Sequence, residues 1–345
     1  IGAFALEVLN AGNTYNTAIG FNAGAVMTTG VQNTIIGSFA GDALTTGEYN
    51  VAIGYAALST EDAYGRNVAI GHEALKTLNA VTDAYNVAIG YAAGELMSTG
   101  IRNTLMGGFA GDALTTGGYN TAIGMQALST ETGGTQNVAI GTGALELLNV
   151  NAAGNNTAVG YLAGQLMSTG TQNTLIGGLT GDAISTGQQN TAIGYNALSA
   201  ETTGSYTVAI GRGALAGQNF AASETSYNTA VGYEAGNDVT DGQENTFLGA
   251  LAADAVTTAD ANTALGAYAL GAETTGGHNT AVGRSALSGQ NAAADTYNTV
   301  VGSNSTTALS TGDFNTIMGA ASAGALTTGA RNVAIGYEAL KDEDA

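Results

Sequence analysis

Chemistry has few places to reside in this sequence. Of 345 residues only two are His, His72 and His278, and none is Cys. The two imidazoles stand at different places in the repeat described below, so neither forms a metal cluster or a nucleophile pair. No G-x-S-x-G elbow, P-loop, H-E-x-x-H or EF-hand loop occurs. Carboxylates do recur. Asp42, Asp112, Asp182 and Asp254 share one register position, and Glu61, Glu131, Glu201 and Glu273 share another. Oligomerisation in threes would turn each into a ring of oxygens able to take Ca²⁺; otherwise they form a solvated acidic surface. The four aspartates are the cation candidates, and no other cofactor is expected. Polysaccharide cleavage needs a carboxylate pair across a cleft, and these carboxylates are spaced too evenly for that. A non-enzymatic chain is expected.

The elements that carry these residues follow from composition and period. Asp and Glu number 27 against 7 Lys and Arg, for a net charge of −20. Nucleic-acid binding requires cations that displace phosphate counterions, so that class is set aside, and anionic membrane surfaces are disfavoured for the same reason. No apolar run approaches the ~20 residues of a membrane span, and no signal peptide is visible. Gly is abundant, at 53 residues, and Pro is absent. A chain without Pro keeps every backbone N–H available for hydrogen-bond ladders.

The phrase N-[TV]-x-[IVLM]-G recurs nineteen times, from Asn16 to Asn332, with Thr207 once in the Asn place. Steps of 17 are interrupted after every fourth unit by a step of 19 or 21. Four units thus make a super-repeat of 70–72 residues: 16–85, 86–155, 156–227, 228–297 and a partial 298–345, with 1–15 closing a preceding one. The chain opens within a repeat, at Ile1-Gly2, and is read as one continuous rod over 1–345, a fragment of a longer protein. Each fourth unit carries an insertion, such as 76–85 or 288–297.

A 17-residue period is shorter than ankyrin, TPR, WD40 or leucine-rich units. It predicts an all-β fold, one coil of a β-solenoid or β-roll per unit: a short strand, a Gly turn, a second extended or arched segment and another Gly turn. Counted from the Asn as zero, position +4 is Gly in all nineteen units, which predicts a crowded or positive-φ corner there, as at Gly194. Stacked Asn residues, Asn190 among them, are expected to form a ladder. The helix-like spacing of Gly41-Asp42-Ala43-Leu44 leaves an alternative open, a strand plus one helical turn per unit. At about 4.8 Å per coil the stack would be roughly 90 Å long.

Alternate strand positions face opposite ways. Position +3, such as Ile193, is large and is expected to fill the coil's core. Position +2, such as Ala192, is then expected to face a partner, with Ile35, Leu105, Leu175, Phe247 and Ile317 as bulky plugs spaced along that surface. Two buried faces predict self-association, most simply a homotrimer about the fibre axis.

The stretches NTAIGYNALSAETTG (190–204), NTLIGGLTGDAISTG (173–187) and YNTAVGYEAG (227–236) resemble the repeat regions of tail-fibre-like and virion appendage proteins of phages, marine ones above all. They are also similar to the head repeats of bacterial trimeric autotransporter adhesins. The resemblance covers essentially the whole chain and implies an elongated trimeric β-structure at an extracellular or virion surface, contacting other fibre or virion proteins. The expected function is a structural shaft or spacer. An adhesive fibre is the alternative, contacting a host receptor or glycan through its insertion loops, with Tyr85, Phe220, Tyr227 and Tyr297 as contact residues. An ice-binding solenoid, suggested by the Thr pairs of the TTG turns, is a minor one.

Overall fold

The computed structural model describes residues 2–9, 14–222 and 224–342. The chain is an all-β parallel solenoid of 17-residue coils. It divides into two compact units, Ile1–Gln172 and Asn173–Ala345. Among the described residues the first carries nine strands, from β1 (Thr17–Ile19) to β9 (Thr157–Val159), and the second carries ten, from β10 (Thr174–Ile176) to β19 (Val333–Ile335). Each strand is three residues long, most often the T-A-I or V-A-I of its repeat and elsewhere a variant such as T-L-M or T-F-L. Within each unit consecutive strands pair in parallel with like positions opposed, as Thr191, Ala192 and Ile193 oppose Val208, Ala209 and Ile210. Among the described residues the rest of each coil is arched, made of turns and bends with isolated bridges at Thr135–Ala153 and Ser205–Thr225 and no second named strand.

Those turns also replace the helical turn that Gly41–Leu44 suggested; no helix occurs among the described residues. In the coil that begins at Asn50, Gly54 has φ 135°, Ala56 50° and Leu58 53°, with negative φ between them. Successive β-turns result, each with the positive φ at its third position that a type II turn requires. Right-handed helix cannot accommodate this alternation. The three-residue apolar spacing comes instead from turns that close at i+3, such as Leu44 N–H to Gly41 O at 3.1 Å. The left-handed region costs a non-glycine residue roughly 1–2 kcal/mol. At Leu58 burial and a 3.0 Å bond from its N–H to Ala74 O in the next coil offset that strain.

The faces of the strand are the reverse of the sequence expectation. Position +2 points into the coil: Ala52, Ala122, Ala192 and Ala264 have no exposed surface. Position +3 points out, with Met106, Ile176, Leu248 and Met318 each 38–49% exposed. Ile193 therefore does not fill the core, and Ala192 does not face a partner. Ile35, Leu105, Leu175, Phe247 and Ile317 are not partner-facing plugs either; all five lie inside their own coils, at most 1% exposed. The reason is volume. The coil is narrow, and the wall opposite the strand supplies Leu or Met, leaving room for little more than a methyl group.

The bulky +2 residues fit because the opposite wall yields. Where +2 is Ala in third and fourth units, +8 is Leu: Leu58 and Leu75, Leu128 and Leu145, Leu198 and Leu215. Where +2 is Leu105, the flanking +8 positions are Gly94 and Gly111. A Cβ on Gly94 would sit 2.8 Å from Leu105 Cδ1, and one on Gly111 2.9 Å from Leu105 Cδ2. Phe247 takes the same space against Gly236, whose Cβ would lie 2.7 Å from the ring. Side-chain volume is thus exchanged across the coil at nearly constant total, as close packing demands. Leu105→Ala is expected to cost about 3 kcal/mol through the cavity it leaves. Adding Gly111→Leu recreates the third-unit pairing, and the double variant should recover much of that loss in chemical unfolding.

Candidate functional site

The polar interior of each coil is built first from the repeated Asn. Asn190 N–H donates to Asn173 Oδ1 at 3.0 Å, Thr207 N–H donates to Asn190 Oδ1 at 2.9 Å, and Asn190 Nδ2 donates to Gly204 O at 2.9 Å. The ladder expected from the sequence is present, but it runs through backbone amides more than from side chain to side chain. At Thr207, where Asn is missing, the ladder is rebuilt. Thr207 Oγ1 contacts Ser226 Oγ at 2.5 Å, and Gln218 bridges Thr207 Oγ1 and Asn228 Nδ2 at 3.0 and 2.9 Å. The corner glycine keeps neighbouring backbones close: a Cβ on Gly194 would lie 2.4 Å from Gly211 O.

The second polar element went unrecognised in the sequence. Glu61, Glu131, Glu201 and Glu273 are fully buried, not parts of a solvated acidic surface. They stand at +11, where first and second units carry Met27, Leu44, Met97 or Leu114. The adjoining turn explains them. In first units the three N–H groups of the TTG turn converge on one carbonyl of the next coil, as Ser98, Thr99 and Gly100 do on Thr115 O at 2.9–3.3 Å. After a third unit the next coil carries the insertion, and the carboxylate takes that carbonyl's place. Glu131 Oε1 accepts from the N–H groups of Thr132, Gly133 and Gly134 at 3.0, 3.2 and 2.7 Å. Its Oε2 accepts from Val150 N–H in the insertion at 3.0 Å. Glu201 and Glu273 repeat the arrangement, reaching Gln218 Nε2 at 3.0 Å and Ala292 N–H at 3.4 Å, and Glu61 reaches Ala80 N–H at 3.0 Å. Convergent amides of this kind form an anion nest. Each glutamate is an internal clamp that closes its own turn and holds the insertion of the following coil. A Glu at +11 in the unit before each insertion, three residues ahead of Gly134, Gly204 and Gly276 and of Tyr64 at Glu61, was the available signal.

The other candidates fall elsewhere. Asp42, Asp112, Asp182 and Asp254 are half-buried, and burial is the main influence raising their carboxyls above the usual 3.8. No group of three or more His, Cys, Asp or Glu side chains positioned to hold a metal occurs among the described residues, so these aspartates are not brought together within a unit. Phe220, expected in a contact loop, is buried with 1% exposure and is an anchor of its insertion. Tyr85, Tyr227 and Tyr297 are exposed, but they belong to a column at the residue before each Asn rather than to free loop tips. Arg66 lies 5.1 Å from the Tyr49 ring and 5.6 Å from that of Tyr85; Tyr206 and Tyr227 are 5.7 Å apart; His278, Tyr297 and Phe314 stack at 4.7 and 5.3 Å. In the first unit a second ring column runs Phe4, Phe21, Phe39, Tyr55, His72, Tyr91, Phe109, with centroids 5.1–5.9 Å apart. Both histidines thus sit in ring stacks. Of the TTG pair, the first Thr is engaged, Thr28 Oγ1 donating to Thr45 O at 3.2 Å, and the second is exposed.

This geometry defines a β-solenoid repeat protein with a polar spine. Comparison with protein families, curated proteins and solved structures returned no match.

Two outcomes follow from the clamps. Glu131→Leu strands buried N–H groups at about 1–3 kcal/mol each, whereas Glu131→Gln keeps the acceptor for the turn; the Leu variant should melt well below the Gln variant, with faster amide exchange at Thr132–Gly134. Burial pushes the Glu61 and Glu273 carboxyls above the usual 4.5, against the opposing pull of the backbone amides. A folded value above the unfolded one means stability that is complete below the unfolded value and lost as pH rises through the folded one. The urea midpoint should therefore rise between about pH 7 and about pH 4.5, and the rise should shrink in the Glu61→Gln, Glu273→Gln double variant.

Proposed function

We propose that the chain is a structural shaft or spacer segment of an extracellular or virion fibre, associating as a homotrimer through the outer face of its strands. The observation that carries this reading is the uniformity of that face. Positions +1 and +3 are Thr or Val and Ile, Val, Leu or Met in all nineteen units, although the chain has a net charge of −20. An acidic chain can approach a second copy without burying charge only where it has none, and every coil offers such a place. Three faces around one axis would cover the exposed Ile, Leu and Met side chains that each chain leaves in water. The coils are nearly alike and the Asn column and the buried glutamates hold coil to coil, which suits a spacer that bears load. The exposed ring columns favour a second reading, an adhesive fibre with weak multivalent contacts to host glycans.

Light scattering on the intact chain should return three chain masses. Ile123→Asp combined with Ile193→Asp changes only outward positions; it should give a folded species of one chain mass. A wild-type chain that is monomeric at micromolar concentration overturns the trimer.

A further inference from the structure

At one place on the second unit several departures from the repeat coincide. A cleft of about 440 Å³ is lined there by Asp254, Tyr268, Gly271, Arg284, Ser285 and Ser288. That volume lies in the range of about 300–1,000 Å³ common for small-molecule sites. Gly271 stands where the other super-repeats carry Ser59, Ser129 and Ser199. A Cβ at 271 would lie 3.5 Å from Asp254 Oδ1 and 3.3 Å from Tyr268 O, so the glycine removes a side chain from the floor of the cleft. Ser285 and Ser288 bring hydroxyls where the preceding super-repeat has Gly213 and Ala216.

Arg284 is released by the same set of changes. Its counterpart Arg212 is held by Glu234 at 2.7 Å and by the Tyr233 hydroxyl at 3.0 Å, with its guanidinium 5.4 Å from the Tyr233 ring centre. The coil after Arg284 carries Ser303 and Asn304 in those two places. Arg284 reaches only Asn304 Oδ1, at 3.5 Å, and forms no ion pair among the described residues. The super-repeat containing the cleft thus unties a guanidinium, clears the space beside a carboxylate and adds two hydroxyls.

We propose that this cleft binds one residue of a neutral pyranose sugar. Asp254 accepts hydrogen bonds from sugar hydroxyls, the Arg284 fork donates to others, and Ser285 and Ser288 do either. The Tyr268 ring, 47% exposed, offers an apolar face to the C–H side of the sugar ring. One carboxylate and one guanidinium balance, so the lining selects for polarity without net charge. An acidic sugar would meet Asp254 backed by the charges of Asp238 and Glu234. A zwitterion would satisfy the two charged groups and leave the hydroxyls and the ring unused. The site goes beyond the shaft reading and does not depend on it: each chain carries this cleft, and joined chains would add avidity.

Saturation-transfer NMR on the full chain with methyl glucoside, galactoside, mannoside and N-acetylglucosaminide tests this directly, with methyl sialoside and glycine as charged probes. Transfer to the ring protons of at least one neutral glycoside is expected. Gly271→Ser, which installs the residue of the three counterpart positions, should abolish it while melting is unchanged. Asp254→Asn, losing a charge-assisted acceptor, should weaken binding about tenfold. Binding of no neutral glycoside, binding that persists in Gly271→Ser, or preference for the sialoside or glycine overturns the proposal. The mass of the assembly is read separately, so failure here leaves the shaft reading standing on its own test.

Discussion

Everything in this fold depends on how closely one coil can lie on the next. At the corner of each coil, backbone meets backbone: the Cβ that Gly194 lacks would fall 2.4 Å from Gly211 O, and the one Gly124 lacks 2.5 Å from Gly141 O. No side chain can be inserted there. With the corners in contact, strands of only three residues suffice, because those inside each unit are paired at both edges and continued by turns bonded to the turns of the next coil. The Asn column uses the same spacing. One side-chain oxygen meets the backbone N–H one coil along, and one side-chain nitrogen meets a glycine carbonyl across the coil. Little stability can reside in a single coil of so few buried atoms; it is a property of adjacency, as in other stacked repeats.

A stack of identical coils would tolerate no insertion, since an added residue deprives the preceding turn of its carbonyl partner. The super-repeat answers this. A glutamate takes the place of a core Leu or Met one coil before each insertion and supplies, from inside, the acceptor that the insertion has displaced. Its second oxygen then holds the insertion. A buried carboxylate is ordinarily a liability. Here convergent backbone N–H donors compensate it, four of them at Glu273. The bulky strand residue repeats on the same four-unit schedule, flanked at +8 by two glycines around Ile35, Leu105 and Leu175, by Gly236 and Ala253 around Phe247, and by Thr306 and Ala323 around Ile317, so volume and polarity are both adjusted once per super-repeat. A trimer built on the outer strand faces would leave these interior arrangements untouched, and that separation suits a spacer.

The chemistry-bearing residues are distributed accordingly. Regular ones, such as the ring columns and the aspartates Asp42, Asp112 and Asp182, recur at fixed register positions and are not gathered into a site within a unit. The cleft at Asp254 and Arg284 is formed where several regular positions change together. In a repeat protein a local combination of departures is more informative than any repeated motif, because the repeat already accounts for what recurs.

The period, the parallel stacking, the Asn column and the glycine corner were legible in the sequence, since each is a one-dimensional regularity that maps onto one coil position. The alternation of Thr191, Ala192 and Ile193 was legible too, but which side is inside was not. Alternation is symmetric under exchange of the two faces, and hydrophobic size alone assigned Ile193 to the core. Closure of the coil decided otherwise, because Leu198 and its equivalents come from the opposite wall and leave only methyl-sized space beneath the strand. The apparent helical spacing at Gly41–Leu44 misled for a related reason: β-turns closing at i+3 mimic the helix period, and only backbone φ distinguishes them. Charge likewise suggested that Glu131 was solvated. The sequence by itself determined what repeats and how often. The tertiary structure decided what each repeated residue touches, because burial depends on the volume and donors supplied both by the same turn and by neighbours fourteen to nineteen residues away.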